Sequence, residues 1–439
     1  MRIAFVSPNR EHMPDPVVPI GLLYLMSAVG DQHEKTLVDL CFEAQPLDHL
    51  GRELERFGPE LVAVGMRNIQ NADYTATQPT IDHYEQVLRT IRSYTDAPVV
   101  MGGGGFSIVP DELMRTYGLD YGIVGEGELP FAQLVARLAS GTRDLSGIPN
   151  LLLNDGAPAP PTPARRDFLN LKANVRPARR WVDPRYYAYS GIASIQTKRG
   201  CAMHCEYCTY PQIEGHWIRQ RLGEDVADEW QEMLASSPDI AHVFVVDSVF
   251  NLPPSHAHDV CHALIEHGNR TPWTCYVNPI RFDQELADAM ARAGCAGVEI
   301  GSDSGTDHGL EVLRKGFTTG HIRRASTVCQ QAGIRDCHTF VLGARGETLD
   351  DVERSLDFIE ELRPYGVIVM AYKDDREAVD AELAARQGAF RASVLEAIAR
   401  RIPRNPKWAV PSLGVRFNHR LFDLLRRSGR RGPLWQHDL

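Results

Sequence analysis

Two blocks of the 439-residue sequence alternate short apolar runs with stretches of helical periodicity, and this alternation constrains the fold more than any other feature. In the first block the apolar runs lie at residues 3–6, 36–40, 61–66, 98–102 and 121–124. Such runs are typical of strands buried on both faces, and the amphipathic helices between them indicate parallel pairing. The pattern predicts an α/β fold in which residues 1–145 form a doubly wound, Rossmann-like domain. Ligands of such sheets bind at the carboxyl ends of the strands.

The alternation resumes in residues 186–372, with apolar runs at 192–197, 241–247, 273–278, 297–305, 339–343 and 367–370. Six βα units predict an open partial (β/α)6 barrel with its reactive groups at the carboxyl ends of the strands. Between the blocks, residues 146–185 are rich in proline and turn-forming residues, which predicts a linker. Residues 373–439 contain helical pieces interrupted by Pro403, Pro406 and Pro411, and are predicted to be a small helical C-terminal segment.

The composition excludes a disordered or disulfide-stapled chain. Hydrophobic residues make up 43% and charged residues 24%, which is ordinary for a globular protein. No apolar run reaches the length of a membrane span, and Met1-Arg2 leads directly into a strand, so neither a transmembrane helix nor a signal peptide is predicted. The default compartment is the cytoplasm. Six of the nine cysteines stand singly in apolar segments, where buried reduced thiols are expected.

Charge is distributed unevenly along the chain. The net charge is −10, but the residues from Arg386 to the end carry +9. This basic tail is expected either to hold an anionic substrate, a nucleic acid or a membrane surface, or to form the solvated faces of helices. No aromatic residues are interleaved with the arginines in the manner of a nucleic-acid site, so nucleic acid is not an expected partner.

Three cysteines lie close together in the run 198–208, Lys-Arg-Gly-Cys-Ala-Met-His-Cys-Glu-Tyr-Cys. Cys201, Cys205 and Cys208 are separated by three and two residues, which allows them to wrap one iron–sulfur cluster. Three thiols for four irons leave one iron without a protein ligand, and a site with such a vacancy binds something exogenous. The alternative is a zinc site with His204 or a remote cysteine as its fourth ligand.

This motif resembles the signature of the radical S-adenosylmethionine enzymes, in which an aromatic residue, here Tyr207, precedes the last cysteine. The apolar run 192–197 that leads into the motif is also similar to that family. The resemblance implies that the three cysteines ligate a 4Fe–4S cluster and that the methionyl amine and carboxylate of S-adenosylmethionine chelate the open iron. In the family, an electron from the cluster splits the sulfonium and releases a 5′-deoxyadenosyl radical.

Polar residues at the predicted strand ends of the barrel are candidate contacts to S-adenosylmethionine. The run 297–305, Gly-Val-Glu-Ile-Gly-Ser-Asp-Ser-Gly, resembles the family's Gly-x-Glu-Ser-Gly run, with aspartate in the place of glutamate. The candidate contacts are the backbone of Tyr207 and the side chains of Asp247, Asn278, Ser302 and Asp303. For Asp247, Asn278 and Asp303 the alternative is a role in turns and helix caps, which these residue types serve well.

Four motifs of the first block resemble the cobalamin-binding domain that precedes the barrel in one large class of these enzymes. They are residues 19–25, 59–65, 102–105 and 124–128. The resemblance implies a cobalamin site, where glycines let the backbone approach the planar macrocycle. Its candidate residues are Gly21, Met66, Arg67, Gly102, Gly103, Gly104 and Glu126.

One departure from cobalamin-binding sequences concerns the lower axial ligand. The Asp-x-His-x-x-Gly motif that supplies an axial histidine in cobalamin mutases is missing, because Asp31-Gln32-His33 is followed by Glu34 and no matching glycine. Ligation by a histidine of that motif is therefore not assumed, and an open lower face is expected. The alternative for the whole domain is a Rossmann fold without a cofactor.

Together the resemblances imply a cobalamin-dependent radical S-adenosylmethionine enzyme. Reductive cleavage of S-adenosylmethionine to a 5′-deoxyadenosyl radical is expected, with methyl transfer to an unactivated carbon, or to phosphorus, of a small molecule. The cofactors do the chemistry, and the protein supplies positioning and excludes water. An electron donor such as flavodoxin or ferredoxin is the implied partner. Residues 373–439, where the resemblance fades, are expected to line a substrate pocket particular to this enzyme.

Three other functions stay open. Some relatives use the same cofactors for cyclisation, ring contraction or oxidation. Methylthiotransferases carry extra cluster cysteines in the N-terminal domain, where this chain has only Cys41. A non-catalytic cobalamin or iron–sulfur sensor that signals through the basic tail is the third, although a sensor does not need a vacant iron beside S-adenosylmethionine contacts.

Overall fold

The computed structural model describes residues 1–12, 15–70, 80–154, 168–173, 175–405, 408–413 and 432–433. These residues divide into two compact units. The first unit contains those within residues 1–189 together with 209–217, and the second contains those within 190–208 and from 218 onward. Both units are built from parallel sheets and helices, which confirms the predicted α/β fold class. No helix in these ranges is both long enough and apolar enough to span a membrane.

The first unit is a sheet with helices on its faces. Its strands are β1 (Arg2–Ser7), β2 (Glu34–Asp39), β3 (Leu61–Gly65), β4 (Val99–Gly102), β5 (Tyr121–Ile123) and β6 (Leu151–Leu153). Its helices are α1 (Ile20–Ala28), α2 (Pro46–Phe57), α3 (Thr80–Tyr94), α4 (Pro110–Tyr117), α5 (Glu128–Ala139), α6 (Arg185–Ser190), which ends at the boundary of the unit, and the short α7 (Tyr210–Glu214). The strand order is β2-β1-β3-β4-β5-β6, and every pairing is parallel except that of β5 with β6.

Burial explains why the first-block runs form a central sheet. Residues 3–6 of β1 have no exposed surface, as expected for a strand covered on both faces. The helices present one apolar side to the sheet; α2, for example, buries Leu50 and Leu54 and ends at Gly58, whose φ of 58° is the left-handed conformation that glycine adopts without strain. Because strands β1 to β5 are parallel, their carboxyl ends lie at the same edge of the sheet.

The second unit is the barrel. Its strands are β7 (Ile192–Ile195), β8 (Lys198–Arg199), β9 (Arg219–Gln220), β10 (His242–Val245), β11 (Trp273–Val277), β12 (Cys295–Asp303), β13 (Arg335–Leu342), β14 (Gly366–Ala371) and β15 (Trp408–Ala409). Its helices are α8 (Gly223–Ser236), α9 (Pro254–Glu266), α10 (Gln284–Arg292), α11 (Asp307–Val312), α12 (Thr319–Ala332), α13 (Leu349–Leu362) and α14 (Ala381–Arg401). The main sheet has the order β15-β14-β13-β12-β11-β10-β7 and is parallel throughout, while β8 and β9 form a separate antiparallel pair.

The structure differs from the sequence predictions at two of the segment boundaries. Strand β6 lies inside the predicted linker 146–185, yet it pairs with β5 and completes the first sheet. The C-terminal segment contributes β15 as a seventh barrel strand, and its predicted helical pieces are one 21-residue helix, α14, that Pro403 follows. Runs of three and two residues are too short for periodicity to reveal, and their pairing depends on the neighbouring strand.

Several arginines of the basic C-terminal segment are paired with acidic residues of the barrel. Arg401 contacts Glu353, Asp357 and Glu360 of α13 at 2.6–3.1 Å, and Arg404 contacts Glu360 at 2.7 Å. The charge asymmetry of the sequence thus has a structural explanation for this part of α14 and its end, where basic and acidic helix faces meet.

Candidate active site

The three motif cysteines lie in the loop after β8, on the carboxyl side of the first barrel strand, β7. Cys201 is buried, and Cys205 and Cys208 are partly buried. The backbone N–H of Glu206 donates to the carbonyl of Leu313 at 3.1 Å, and that of Cys208 donates to the carbonyl of Cys205 at 3.2 Å. These bonds hold the three thiols on one short, anchored loop.

A cation lies beside the thiols, in surroundings whose net effect is to raise the pKa of Cys205. Burial raises the pKa of Cys205, and the ammonium of Lys315 opposes that shift through its charge and a hydrogen bond. A neighbouring cation favours the thiolate, which is the form that binds iron.

The alternative zinc site has a different geometry. A tetrahedral zinc site would bring its sulfurs within about 3.8 Å of one another. In the described ranges, no three Cys, His, Asp or Glu side chains form a group that could hold a single metal ion.

A buried trio of side chains stands beside the cysteine loop. The hydroxyl of Tyr207 donates to Asp303 Oδ2 at 2.5 Å, and the ammonium of Lys315 donates to the same oxygen. Asp303 and Lys315 are 2% and 5% exposed, so this ion pair is shielded from water. The ammonium also lies 5.6 Å from the centre of the Tyr207 ring and 5.5 Å from that of Phe317.

The electrostatics of the trio follow from burial and from the shared carboxylate. Burial and the charge of Asp303 both raise the pKa of the Tyr207 hydroxyl well above its usual value, so Tyr207 is a hydrogen-bond donor at neutral pH. Burial alone would lower the pKa of Lys315, but the Asp303 carboxylate and the nearby thiols outweigh it and raise that pKa. Lys315 therefore carries a full positive charge close to the cysteines.

The backbone explains how Asp303 reaches this position. Its φ of 62° is left-handed, a conformation that aspartate tolerates better than most residues. The register between β12 and β13 shifts between Gly301 and Asp303, which is a local irregularity at the end of the strand. The structure thus brings the predicted residues Tyr207 and Asp303 together, although through the Tyr207 side chain rather than the backbone predicted to act.

Asp247 and Asn278 lie just beyond the ends of β10 and β11, and side-chain oxygens of both accept hydrogen bonds from the protein. Asp247 is fully buried and accepts hydrogen bonds from the N–H groups of Thr197 and Lys198, at 2.7 and 3.2 Å, and from the Thr197 hydroxyl. Asn278 Oδ1 accepts from the N–H of Ile280 at 2.8 Å. The Asn278 contact is the local bond expected of a turn, whereas Asp247 holds the backbone of residues 197 and 198, which follow β7. An S-adenosylmethionine contact by either side chain stays a prediction.

Ser302 is separated from the trio although it is next to Asp303 in sequence. It has no exposed surface, and its hydroxyl lies 2.8 Å from Nδ1 of His338, which is also fully buried. The other ring nitrogen of His338 lies 3.2 Å from Asp336 Oδ2. Ser302 therefore belongs to an internal polar chain, and its predicted contact to S-adenosylmethionine is untested by this geometry.

Lys315 is the functional candidate that sequence reasoning missed. Lys315 lies twelve residues beyond Asp303, and nothing in the sequence shows that it reaches the cysteines. The signal in the sequence is the glycine that follows Lys315, because glycine favours a turn. In the structure the φ of Gly316 is 71°, so the chain turns sharply there. A lysine buried in such a turn needs a carboxylate partner.

In the first unit, the predicted cobalamin residues lie at the carboxyl ends of the strands. Met66 follows β3 and Gly103 follows β4, and the two loops contact each other through their backbones. The N–H of Met66 donates to the carbonyl of Gly102 at 2.8 Å, and that of Gly105 donates to the carbonyl of Met66 at 3.0 Å. The glycine run therefore supports a fixed arrangement of two strand-end loops.

The structure corrects the reason for these glycines. A Cβ added to Gly103, whose φ is 108°, would lie 2.6 Å from the carbonyl oxygen of Met66. A Cβ on Gly102 would meet the carbonyl of Ile123, and one on Gly104 that of Arg67, both at 3.3 Å. The sequence interpretation placed a macrocycle against them, but the space that a side chain would take is filled by neighbouring backbone.

Gly21 differs from the other candidate cobalamin glycines, because open space lies where its side chain would be. It is exposed in the first turn of α1, and a Cβ there would meet no atom within 4 Å. The same helix packs on the strand ends, because a Cβ on Gly65 would lie 3.1 Å from Leu22. Glu126 follows β5 at the same edge, and its Oε2 accepts the N–H of Leu169 at 3.0 Å. Arg67 is exposed after Met66, and cobalamin contacts by Gly21, Arg67 and Glu126 stay predictions.

His33 lies at the opposite edge of this sheet. It immediately precedes β2, so it is at the amino end of a strand, and its Nδ1 is 3.4 Å from the N-terminal amine of Met1. Met66, Arg67, Gly103, Gly104 and Glu126 follow the carboxyl ends of strands, and Gly102 is the last residue of β4. The structure therefore agrees with the missing axial-histidine motif: His33 is not placed to ligate a corrin bound there.

The sequence was compared with protein families and with known proteins. Two family models match the sequence, the radical SAM superfamily over residues 195–359 and the B12 binding domain over residues 8–135. The sequence is 29% identical to the tryptophan 2-C-methyltransferase of Streptomyces laurentii, over 82% of this chain and 70% of that protein. It is 23% identical to the cytidylyl-2-hydroxyethylphosphonate methyltransferase of Streptomyces wedmorensis, over 80% and 75% of the two chains.

The structure is similar to that of TsrM, a radical S-adenosylmethionine methyltransferase from Kitasatospora setae. The likeness to TsrM with tryptophan substrate and the analogue aza-SAM has 31% identity and a TM-score of 0.74, and covers 84% of this chain and 72% of that one. With cobalamin and a [4Fe-4S] cluster bound, the TM-score is 0.83 at 25% identity, over 99% and 96% of the two chains. The chain belongs to the family of radical S-adenosylmethionine enzymes that carry an N-terminal cobalamin-binding domain.

Proposed function

We propose that this enzyme is a cobalamin-dependent radical S-adenosylmethionine methyltransferase that acts on a small molecule. The observation that carries the proposal is the likeness to TsrM over 99% of the chain, because it includes both units and therefore both candidate cofactor sites. A relative that shared only the barrel would support radical chemistry without cobalamin.

The residues have distinct roles under this proposal. Cys201, Cys205 and Cys208 would hold three irons of a 4Fe–4S cluster, and the first unit would hold cobalamin at the strand ends near Gly21 and Met66. When bound, these groups supply an electron and a transferable methyl group, respectively. Lys315, fixed by Asp303, keeps a positive charge beside the cluster ligands, and Tyr207 keeps the Asp303 carboxylate oriented.

The methylthiotransferase alternative is poorly supported by the first unit. Such enzymes need further cluster cysteines there, and Cys41 is the only cysteine of that unit. Cys41 is buried, and burial raises its pKa to about 11, so it stays a thiol at neutral pH. A single buried thiol does not make a second cluster site.

A small-molecule acceptor and a reducing partner complete the proposal. The methyl acceptors named for the two curated relatives, tryptophan and a cytidylyl phosphonate, favour a small molecule here as well. Reduction of a low-potential cluster requires an electron donor such as flavodoxin or ferredoxin. Such donors act in the cytoplasm, which is the compartment we propose for this enzyme.

The test is the fate of a labelled methyl group. Anaerobically reconstituted enzyme is given hydroxocobalamin, a reductant and S-adenosylmethionine with a deuterated methyl group, with L-tryptophan and a cytidylyl phosphonate as trial acceptors. We expect label in the acceptor together with S-adenosylhomocysteine, and no label with the Cys201, Cys205 and Cys208 triple alanine variant. A cyclised or oxidised acceptor without label would support the alternative chemistry, and fully loaded enzyme that never consumes S-adenosylmethionine would support a sensor.

A further inference from the structure

A cavity of about 350 Å³ opens at the carboxyl ends of β13 and β14, under helix α14. Its volume is within the range of small-molecule sites, which starts at about 300 Å³. Both strands belong to the second unit, and β12, which ends in Asp303, is the neighbour of β13 in the sheet. The cavity therefore lies along the barrel edge that carries the trio.

One wall of the cavity is the loop after β13, residues 343–347, which is held by hydrogen bonds. The carboxylate of Glu347 accepts the N–H groups of Gly343 and Ala344, each at 2.9 Å, and the hydroxyl of Ser304 at 3.0 Å. A Cβ on Gly343, whose φ is 83°, would lie 2.7 Å from Val394 of α14, so strand end and helix are in close contact. Glu347 is thus committed to holding the loop and to linking it with the end of β12.

Two aromatic rings and an internally paired arginine line the sides. Tyr372, which follows β14, and Phe390 of α14 are partly buried and supply apolar surface. Arg391 donates to both carboxylate oxygens of Glu377 at 2.6 Å and to the carbonyl of Tyr372 at 3.0 Å. The charge of Arg391 is therefore balanced within the wall, and this residue fixes α14 to the end of β14.

Arg345 and Arg386 differ from Arg391, because neither forms a direct ion pair in the described residues, although the charge of Arg345 is one of the causes that lower the pKa of Asp374. Both line the cavity, and both are exposed. In the part of the chain that the structure describes, neither guanidinium forms an ion pair or a hydrogen bond, whereas Arg376, Arg391, Arg400, Arg401 and Arg404 of the same region all do. The nearby carboxylates of Asp374 and Glu347 are engaged with Arg376 and with the loop backbone. The cavity is left with two available guanidinium groups.

We propose that this cavity binds an oxyanion group, a carboxylate or a phosphate, of the methyl acceptor through Arg345 and Arg386, with an aromatic or apolar body of the acceptor against Tyr372 and Phe390. Planar guanidinium groups match carboxylate and phosphate oxygens in two-point hydrogen bonds. The rings of Tyr372 and Phe390 would bury the apolar surface of the acceptor. The identification of the ligand as the acceptor rests on the proposed methyltransferase function, whereas the oxyanion site itself rests on the cavity.

Equilibrium dialysis of the full-length, cofactor-loaded enzyme tests this site with three probes of one shape. They are 2-naphthoate, 2-naphthyl phosphate and the uncharged 2-naphthamide, each quantified in the protein-free chamber. We expect saturable binding of the charged probes, and much weaker binding of the amide. Whichever oxyanion binds more tightly identifies the group on the acceptor. Binding of the amide as tight as that of both acids, or no saturable binding of any probe, would overturn the proposal.

Variants assign the binding to the two arginines. Arg345→Gln and Arg386→Gln should each weaken the charged probes by about three- to tenfold, the low end for a charge-assisted contact because both side chains reach solvent. The amide should bind as before. Arg324→Gln is the matched control, because Arg324 is an exposed arginine of α12 outside the cavity and its replacement removes the same charge. Equal losses with Arg324→Gln, or equal losses for acid and amide, would overturn the assignment.

The two proposals fail in different experiments. Dialysis does not require methyl transfer, so an absence of methyl transfer with intact oxyanion binding would reject the methyltransferase function and keep the site. Labelled methyl transfer to an acceptor without any oxyanion, undiminished in the Arg345→Gln and Arg386→Gln variants, would keep the function and reject the site.

Discussion

The two units build their candidate cofactor sites by opposite means. In the first unit, the strand-end loops at 66–69 and 102–105 are joined backbone to backbone, and glycine is needed wherever they touch. In the second unit, the strand end at Asp303 is held by buried charge, with Lys315 and Tyr207 on one carboxylate oxygen. One site depends on the absence of side chains and the other on their precise pairing.

This difference predicts which changes each site tolerates. A backbone contact is indifferent to charge and sensitive to volume, because a Cβ 2.6 Å from a carbonyl oxygen cannot be accommodated without movement. A buried ion pair is indifferent to small changes of volume and sensitive to the loss of one partner, because the remaining charge is then desolvated without compensation. Substitutions of each kind should therefore affect one cofactor and spare the other.

The largest effect is expected from the cysteine loop. Replacing Cys201, Cys205 and Cys208 together by alanine removes every predicted ligand of the cluster, so the reconstituted protein should lose its iron and its visible cluster absorbance. Cobalamin binding should persist, because its predicted residues all belong to the other unit. Iron and cobalamin analysis of the same preparation measures both. Retention of four irons would refute the cluster assignment, and zinc in the unmodified protein would favour the alternative metal.

The second prediction separates two glycines of the first unit. Gly21→Leu projects into open space and should abolish cobalamin binding, while the free energy of unfolding of the cofactor-free protein is unchanged or rises by up to about 1 kcal/mol. Gly103→Leu meets the Met66 carbonyl and a positive φ, and should destabilise the protein by at least about 2 kcal/mol. Chemical denaturation and corrin absorbance measure the two effects. Full cobalamin occupancy in Gly21→Leu would show that the site lies elsewhere.

The third prediction concerns variants that break the buried ion pair of Asp303 and Lys315. Asp303→Asn leaves the Lys315 ammonium without its carboxylate, and Lys315→Met leaves the Asp303 carboxylate with only Tyr207, so each should cost about 3–5 kcal/mol of folding stability. The double variant should recover much of that loss, because no buried charge is left unpaired. Chemical denaturation of the three cofactor-free variants measures the coupling free energy between Asp303 and Lys315.

Cofactor measurements on the same variants then test the functional role. If the trio serves S-adenosylmethionine, the double variant should bind it at least about tenfold more weakly, as expected for the loss of one charge-assisted hydrogen bond. Cobalamin should be unaffected. Unchanged affinity for S-adenosylmethionine in a stable double variant would assign Asp303 and Lys315 a purely structural role.

The sequence predicted the fold well because its strongest signals are local. Every apolar run of the two blocks is a strand, since a run such as 3–6 needs only burial on both faces to be stable there. The site was predicted in part. The cysteine spacing is visible in the sequence, but the pairing of Asp303 with Lys315 depends on an irregular strand end and a sharp turn twelve residues later. Likewise, the backbone that fills the side-chain space at Gly103 belongs to a loop that follows another strand, β3.

The smallest predicted effect concerns Ser302. It tests whether this neighbour of Asp303 contributes to S-adenosylmethionine binding. Ser302→Ala removes the partner of His338 Nδ1, and a buried ring nitrogen left unsatisfied should cost about 1–2 kcal/mol. Affinity for S-adenosylmethionine should not change, because the hydroxyl is fully buried against His338 rather than beside Tyr207. Ser326→Ala is the matched control, since it removes a hydroxyl from Asp336 in the same polar chain. A tenfold loss of affinity in Ser302→Ala, absent from Ser326→Ala, would instead establish the predicted contact of Ser302 with the cofactor.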